Sequence, residues 1–304
     1  MLLRLAISAI ILAILAQGID MGASARAVAQ IDLGYLSAVL LLVAIDRCVM
    51  ILRWVLLLQA RAIRVTTAEA TRLFLVSSFV GSFLPAGVGA DAARAYGLSR
   101  DSATGSDAVA SVAVDRLLGI LSLVVMAVVG IVAWSPDGRS DWRIAAAIVV
   151  VAFACGSAFW ANEILRFVIP EHRHGRFFTR RILKLADAVG RYRDHRGVLL
   201  HVMAWSMVVQ VLRVTQAYLL GLGLGMTVPY AYFLLFMPLG LLLLLLPISV
   251  SGFGVPQAGF VWMLKPMGVP DSQSFALSTL IVLTGLAGNL PGLLLWLRQR
   301  REIL

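Results

Sequence analysis

The sequence predicts an all-α polytopic membrane protein, with about six spans plus two re-entrant broken-helix hairpins arranged as an inverted repeat. Three observations predict it. Apolar residues make up 60% of 304 and charged residues 14%, with a mean hydropathy of +0.91; a soluble domain carries about 25% charged residues. The apolar residues are gathered into runs long enough to cross a bilayer as helices. Finally, Leu84-Pro85-Ala86-Gly87-Val88-Gly89-Ala90-Asp91 and Leu246-Pro247-Ile248-Ser249-Val250-Ser251-Gly252-Phe253-Gly254 look like copies of one another. Each follows an apolar run too short or too broken for an ordinary span. Lipid cannot satisfy the backbone groups such breaks leave unpaired, so they persist only where buried in protein or lining a wet cavity. One break in each half is the pattern of a transporter with a central binding site.

In chain order, the spans are read at Leu2–Ile19, Gly34–Leu58, Val109–Trp134, Ile144–Ala161, Val198–Leu222 and Ser274–Leu297. The broken segments lie between them, at about Ala70–Leu98 and about Tyr230–Met267. No stretch outside these runs is long enough to bury its own core. The chain therefore reads as one transmembrane domain over 1–304, with pseudo-repeat halves at roughly 1–135 and 142–304. Met1–Ile19 has the look of a signal peptide, with Ala23-Ser24-Ala25 as a conceivable cleavage site, but an uncleaved first span fits the remaining topology better.

Charge orients the spans. With the N-terminus and every second loop in the cytoplasm, the 26 Lys and Arg divide as 18 cytoplasmic, 4 external and 4 intramembrane. The cytoplasmic set includes Arg4, Arg94, nine residues between Arg166 and Arg196, and Arg301; the external set is Arg26, Arg139, Arg143 and Lys265. Such a bias follows the positive-inside rule and puts both termini in the cytoplasm. It also brings the first broken segment in from the cytoplasmic face and the second from the outer face, an inverted repeat. The net charge of +10 thus reflects topology, and no nucleic-acid partner is expected. Trp54, Trp134, Trp142, Trp160 and Trp296 fall near span ends, as in an aromatic belt.

Residues 162–196 form the one long polar stretch, a basic cytoplasmic amphipathic segment. Phe177, Phe178, Ile182, Leu183, Leu185, Ala186 and Val189 alternate there with Arg and Lys. It reads either as a helix drawn to anionic lipid or as a loop satisfying positive-inside. Its histidines match no zinc spacing, and no metal site or cofactor is expected. Cys48 and Cys155 read as small apolar core residues rather than a disulfide framework.

Charges within spans cost at least about 2.5 kcal/mol at a helix centre, so each needs a reason. Asp46 and Arg53 lie seven apart on one face of the second span, with Arg47 beside Asp46. Asp115-Arg116 lies in the third span, and Arg213 sits mid-span among Gln210 and Gln216. Asp46/Arg47 and Asp115/Arg116 can neutralise themselves or neighbouring helices. Arg53 and Arg213, with no evident partner, are expected to face a substrate cavity. In the first break, Gly87 and Gly89 free backbone amides ahead of Asp91 and Arg94, an arrangement suited to an anionic group. The plain alternative is an Asp91–Arg94 pair that pins the hairpin. The second break offers Ser249, Ser251, Gly252, Gly254 and Gln257 and no charge. Phosphate-loop, Gly-x-Ser-x-Gly and His-Glu-x-x-His motifs are absent, so no catalytic residue is assigned and no enzyme activity is expected.

Phe83–Tyr96 with Leu98-Ser99-Arg100, then Val114-Asp115-Arg116-Leu117-Leu118-Gly119, then Leu246–Val255, resemble in order three signatures of the flippase-like family. That family includes the transmembrane domain of lysylphosphatidylglycerol synthetase and many stand-alone relatives. The resemblance covers almost the whole chain. It implies a polytopic lipid translocase of the bacterial inner membrane, here without a soluble synthetase domain of its own. Ser82 stands where the family often has Asn, and Pro256-Gln257 where an Arg-Glu pair often follows. Gly-Phe-Gly-Val-Pro-Gln looks closer to the hopanoid-associated branch. Loss of the charged pair argues against carrying over an anionic-phospholipid substrate and suits a neutral or sterol-like lipid.

The function expected is ATP-independent movement of a lipid between leaflets. The lipid partner is a phospholipid, a hopanoid or a polyprenyl lipid. The expected substrate-binding set is Arg53, Ser82, Pro85, Gly87, Gly89, Asp91, Arg94, Asp115, Arg116, Arg213, Pro247, Gly252, Gly254 and Gln257. The alternatives are a non-transporting membrane subunit that scaffolds a lipid-synthesising or lipid-modifying enzyme, and an intramembrane enzyme acting on polyprenyl-linked substrates.

Overall fold

The computed structural model describes residues 19–83, 89–101, 105–134, 142–168, 177–244 and 255–303. The first span, up to residue 18, and the break residues Pro85, Gly87, Pro247, Ser249, Ser251, Gly252 and Gly254 lie outside them. The described residues are almost entirely helical and include no strand. Among the described residues, four helical stretches are long and apolar enough to cross a membrane: Leu33–Ala60, Gly105–Trp134, Ile182–Gly223 and Asp271–Arg298.

A short helix α1 (Met21–Ala29) opens on Asp20, whose side chain accepts from the Ala23 amide at 2.8 Å. Helix α2 (Leu33–Ala60) is capped in the same way by Asp32 and runs about 42 Å at 1.5 Å per residue, enough to cross the hydrocarbon with some tilt. Helix α3 (Thr67–Ser82) starts at a capping box, in which Thr66 and Glu69 satisfy each other's free amides. Helix α4 (Gly89–Asp101) returns along α3: Gly81 faces Ala90 and Gly97 faces Leu73, so the two run antiparallel. Helix α5 (Gly105–Trp134) completes the first half.

The second half begins with α6 (Trp142–Ser157), a 3-10 turn at Ala158–Trp160 and α7 (Ala161–Val168), in place of a straight fourth span over Ile144–Ala161. Helix α8 (Phe177–Gly190) continues through a 3-10 segment, Arg191–His195, into α9 (Arg196–Gly223). Helices α10 (Tyr230–Leu244) and α11 (Val255–Leu264) form a second antiparallel pair, with Phe236 edge-on to Phe260 at 5.3 Å and the Tyr232 hydroxyl donating to the Met263 carbonyl. The last span is not one helix. It divides into α12 (Asp271–Ala287) and α13 (Leu290–Ile303).

The packing has a regular form. Helix α2 lies antiparallel on α9, with Asp46 opposite Arg213 and Arg53 opposite Ser206. Helix α5 crosses α10 and α13 crosses α3; α4 packs on α5 and α11 on α12; α8 packs on α5 and α1 on α12. Each of these contacts therefore has a counterpart in the other half. The two crossings between halves are also alike in detail. A Cβ on Gly130 would lie 2.3 Å from the Leu234 carbonyl oxygen, and one on Gly292 would lie 2.1 Å from that of Leu75. Only glycine allows backbones this close.

Several expectations are corrected here. Trp54 is no belt residue: it is fully buried between helices. Cys48 faces outward from α2, and only Cys155 is buried. The later part of the 162–196 segment is covered by protein, where Ala188, Val189 and Tyr192 pack against Leu57, Ala110, Val114 and Phe159, while Ile164 and Phe167 stay exposed.

Candidate functional site

Five charged side chains from three helices meet inside the first half. Arg53 on α2 donates through Nε to Asp115 Oδ1 of α5 at 2.8 Å and through Nη1 to Ser206 Oγ of α9 at 2.9 Å. Arg94 on α4 reaches the other Asp115 oxygen at 3.3 Å and Asp91 at 2.5 Å. Asp91 in turn accepts from Arg116. The order Arg53, Asp115, Arg94, Asp91, Arg116 alternates in sign and carries one net positive charge. The Arg94 guanidinium also lies over the rings of Trp54 at 5.1 Å and Phe74 at 4.9 Å, which replaces part of its lost hydration.

This chain of pairs explains how three arginines are tolerated at depth, since an ion without partners at such a place is costly. It also revises the sequence reading. Arg94 was counted among the cytoplasmic cations and is buried. Arg53 was expected to face a cavity and is 5% exposed, held by Asp115. Of the two readings of Asp115 and Arg116, the second holds: they pair with the neighbouring helices α2 and α4, not with one another. The pinning pair Asp91–Arg94 is present.

A second charged group lies two turns along α2. Asp46 contacts Arg47 at 3.4 Å and Arg213 of α9 at 3.3 Å. Arg213, also expected without a partner, thus has one on another helix. Both arginines touch the Met50 sulfur, at 3.5 Å and 3.2 Å. Arg47 Nη2 donates to the Gly285 carbonyl at 3.3 Å, where the last span breaks. Pro291 has no N–H to offer Ala287, and the Asn289 amide turns to Leu286 instead of Gly285. The freed Gly285 carbonyl is the one Arg47 takes. On the far side of the break, Asn289 Nδ2 donates to Ser82 Oγ at the end of α3, at 2.8 Å. Ser82, where the family resemblance leads one to expect Asn, thus meets a side-chain amide from the turn between α12 and α13.

The remaining candidates lie apart from these groups. Gln257 is buried on α11, and Gly89 opens α4. Gln210 donates to Ser122 at 2.9 Å. At one end of α5, Asp107 accepts from Arg61 and Arg191, at 3.1 Å and 2.9 Å. Among the described residues no group of three His, Cys, Asp or Glu could hold a metal. What the side chains assemble is a set of paired charges and hydrogen-bond donors.

Sequence reasoning missed Ser206, Phe74, Met50 and Gly285 as partners and gave Arg47 no role beyond Asp46. The seven-residue step from Asp46 to Arg53 marks a polar face on α2, but the register against α9 carries no local signal. Set against known proteins, the sequence profile of the lysylphosphatidylglycerol synthase TM region matches residues 1–292. No curated protein and no solved structure matches the chain.

Proposed function

The chain belongs to the lysylphosphatidylglycerol synthase TM region family, and from that premise we propose that it is an ATP-independent translocase moving a lipid between the leaflets of the bacterial inner membrane. It makes and breaks no covalent bond, and both termini face the cytoplasm. The halves form an inverted repeat, and each broken helix re-enters the membrane from the face opposite the other.

One observation carries the reading. Helices α3 and α10, the first arms of the two hairpins, each cross the final span of the other half at a glycine, Gly292 or Gly130. Matching, tightly seated crossings let one half rock against the other while both stay packed, as alternating access requires. An arginine-rich interior gives a head group partners that lipid tails lack.

Liposomes holding the purified chain and a head-group-labelled lipid test this. The expected result is that label moves between leaflets while the lipid's mass stays unchanged. A change in mass would make the protein an enzyme. No movement and no change would favour the scaffolding alternative.

A further inference from the structure

The two charged groups on α2 are counterparts, and the difference between them exposes a binding site. Arg53 lies opposite Ser206 and Asp46 opposite Arg213. Adding 160 to Asp46 and Arg53 gives Ser206 and Arg213, so exchanging α2 with α9 carries one pair onto the other. Arg53 and Arg213 therefore occupy equivalent places.

Each pairs with one carboxylate, but from a different place: Asp115 of α5 for Arg53 and Asp46 of α2 for Arg213. Asp115 of α5 seals Arg53. Gly130 and Gly292 differ by 162, and the same step from Asp115 reaches Leu277 of α12, which is apolar and fully buried. With no second carboxylate, Arg213 keeps 26% of its side chain exposed and Arg47 keeps 18%. Two guanidinium groups present ten N–H donors. The acceptors facing them are the Asp46 carboxylate, the Met50 thioether and the Gly285 carbonyl. Arg47 Nε is buried and has no acceptor. A thioether is a weak acceptor, so the donors are under-satisfied and one positive charge is in excess. A Cβ on Gly285 would meet no atom within 4 Å, which leaves room beside them.

We infer that Arg47 and Arg213 form an oxyanion-binding site near the middle of the membrane, which takes a phosphate group, either on a lipid head or as free phosphate. Planar guanidinium forks bind such oxygens two at a time. Asp46 is the internal competitor that holds the arginines when the site is empty. The site supplies, at mid-depth, the charge that the second hairpin lacks, and so turns the substrate reading from a neutral lipid toward one bearing phosphate. The route of the ligand rests on the translocase reading; the binding itself does not.

The test is calorimetry of the full-length chain in maltoside micelles, which contain no phosphate, titrated with dihexanoyl phosphatidic acid and separately with inorganic phosphate. Saturable binding is expected, weakened about tenfold or more by Arg213→Gln and by Arg47→Gln. Asp46→Asn should tighten it, a gain that misfolding cannot produce. Saturation by the lipid analogue alone identifies a lipid head group as the source, and saturation by phosphate as well identifies the free ion. Absence of saturable binding by either probe, indifference to both arginine substitutions, or unchanged or weaker binding in Asp46→Asn would overturn the site. Micelles have no leaflets, so failure here leaves lipid movement in liposomes standing, and the reverse also holds.

Discussion

Asp91 and Asp115 between them answer three arginines, and that ratio decides which substitutions the protein tolerates. Asp115→Ala leaves Arg53 and Arg94 buried without their shared carboxylate, a loss of about 3–5 kcal/mol for a broken buried pair. A marked fall in the thermal unfolding midpoint in detergent is the expected outcome. Ser206→Ala removes a neutral partner and should cost only about 1 kcal/mol. Asp91→Ala strands Arg116 and weakens the hold on Arg94, whereas Asp91→Ala with Arg94→Ala leaves the Arg53–Asp115 pair intact. The double variant should therefore unfold at a higher temperature than Asp91→Ala alone. Equal midpoints for wild type and Asp115→Ala would show that the network does not hold the helices.

Among the elements, the glycine crossings and the break in the last span set the geometry. Alanine at Gly130 or Gly292 drives a methyl group into a backbone carbonyl, which cannot rotate away, so α5 and α10 or α13 and α3 must part. Overpacking of this kind costs about 1–3 kcal/mol. Gly156→Ala meets nothing within 4 Å and should leave the unfolding midpoint unchanged or raised. Comparing the three midpoints checks the crossings directly. Pro291→Ala restores the missing N–H donor, so the last span should straighten, with stability kept or raised and lipid movement slowed. Undiminished movement in a stable Pro291→Ala protein would remove any working role from the break. The sequence signalled this break through Asn289-Leu290-Pro291-Gly292, yet the run around it was apolar enough to read as continuous. The long spans at Leu33–Ala60, Gly105–Trp134 and Arg196–Gly223 were legible to within four residues, because composition alone dictates a membrane helix.

For the whole molecule, the family and the all-helical fold were open to reading in the sequence, but most of the partners of its buried charges were not. Lys and Arg counts act through loops, near the surface, and Arg94, counted among them, is buried. The partners of Arg53, Arg213 and Trp54 were not legible because each is completed across helices, by Asp115, Asp46 and Arg94, at separations no local spacing encodes. The orientation is checked by cysteine labelling in a background where the exposed Cys48 is replaced. Arg180→Cys should react only after the membrane is permeabilised, and Lys265→Cys should react in intact cells; labelling of Arg180→Cys in intact cells would invert the topology.

The most direct measurement of the central claim uses liposomes with fluorescent lipid in both leaflets, exposed to a reductant that cannot cross the membrane. With wild-type protein the label of both leaflets should be lost, and with Arg213→Gln protein the loss beyond the outer leaflet should slow. If wild-type protein leaves the inner leaflet as protected as protein-free liposomes do, the chain does not translocate that lipid and the account is contradicted.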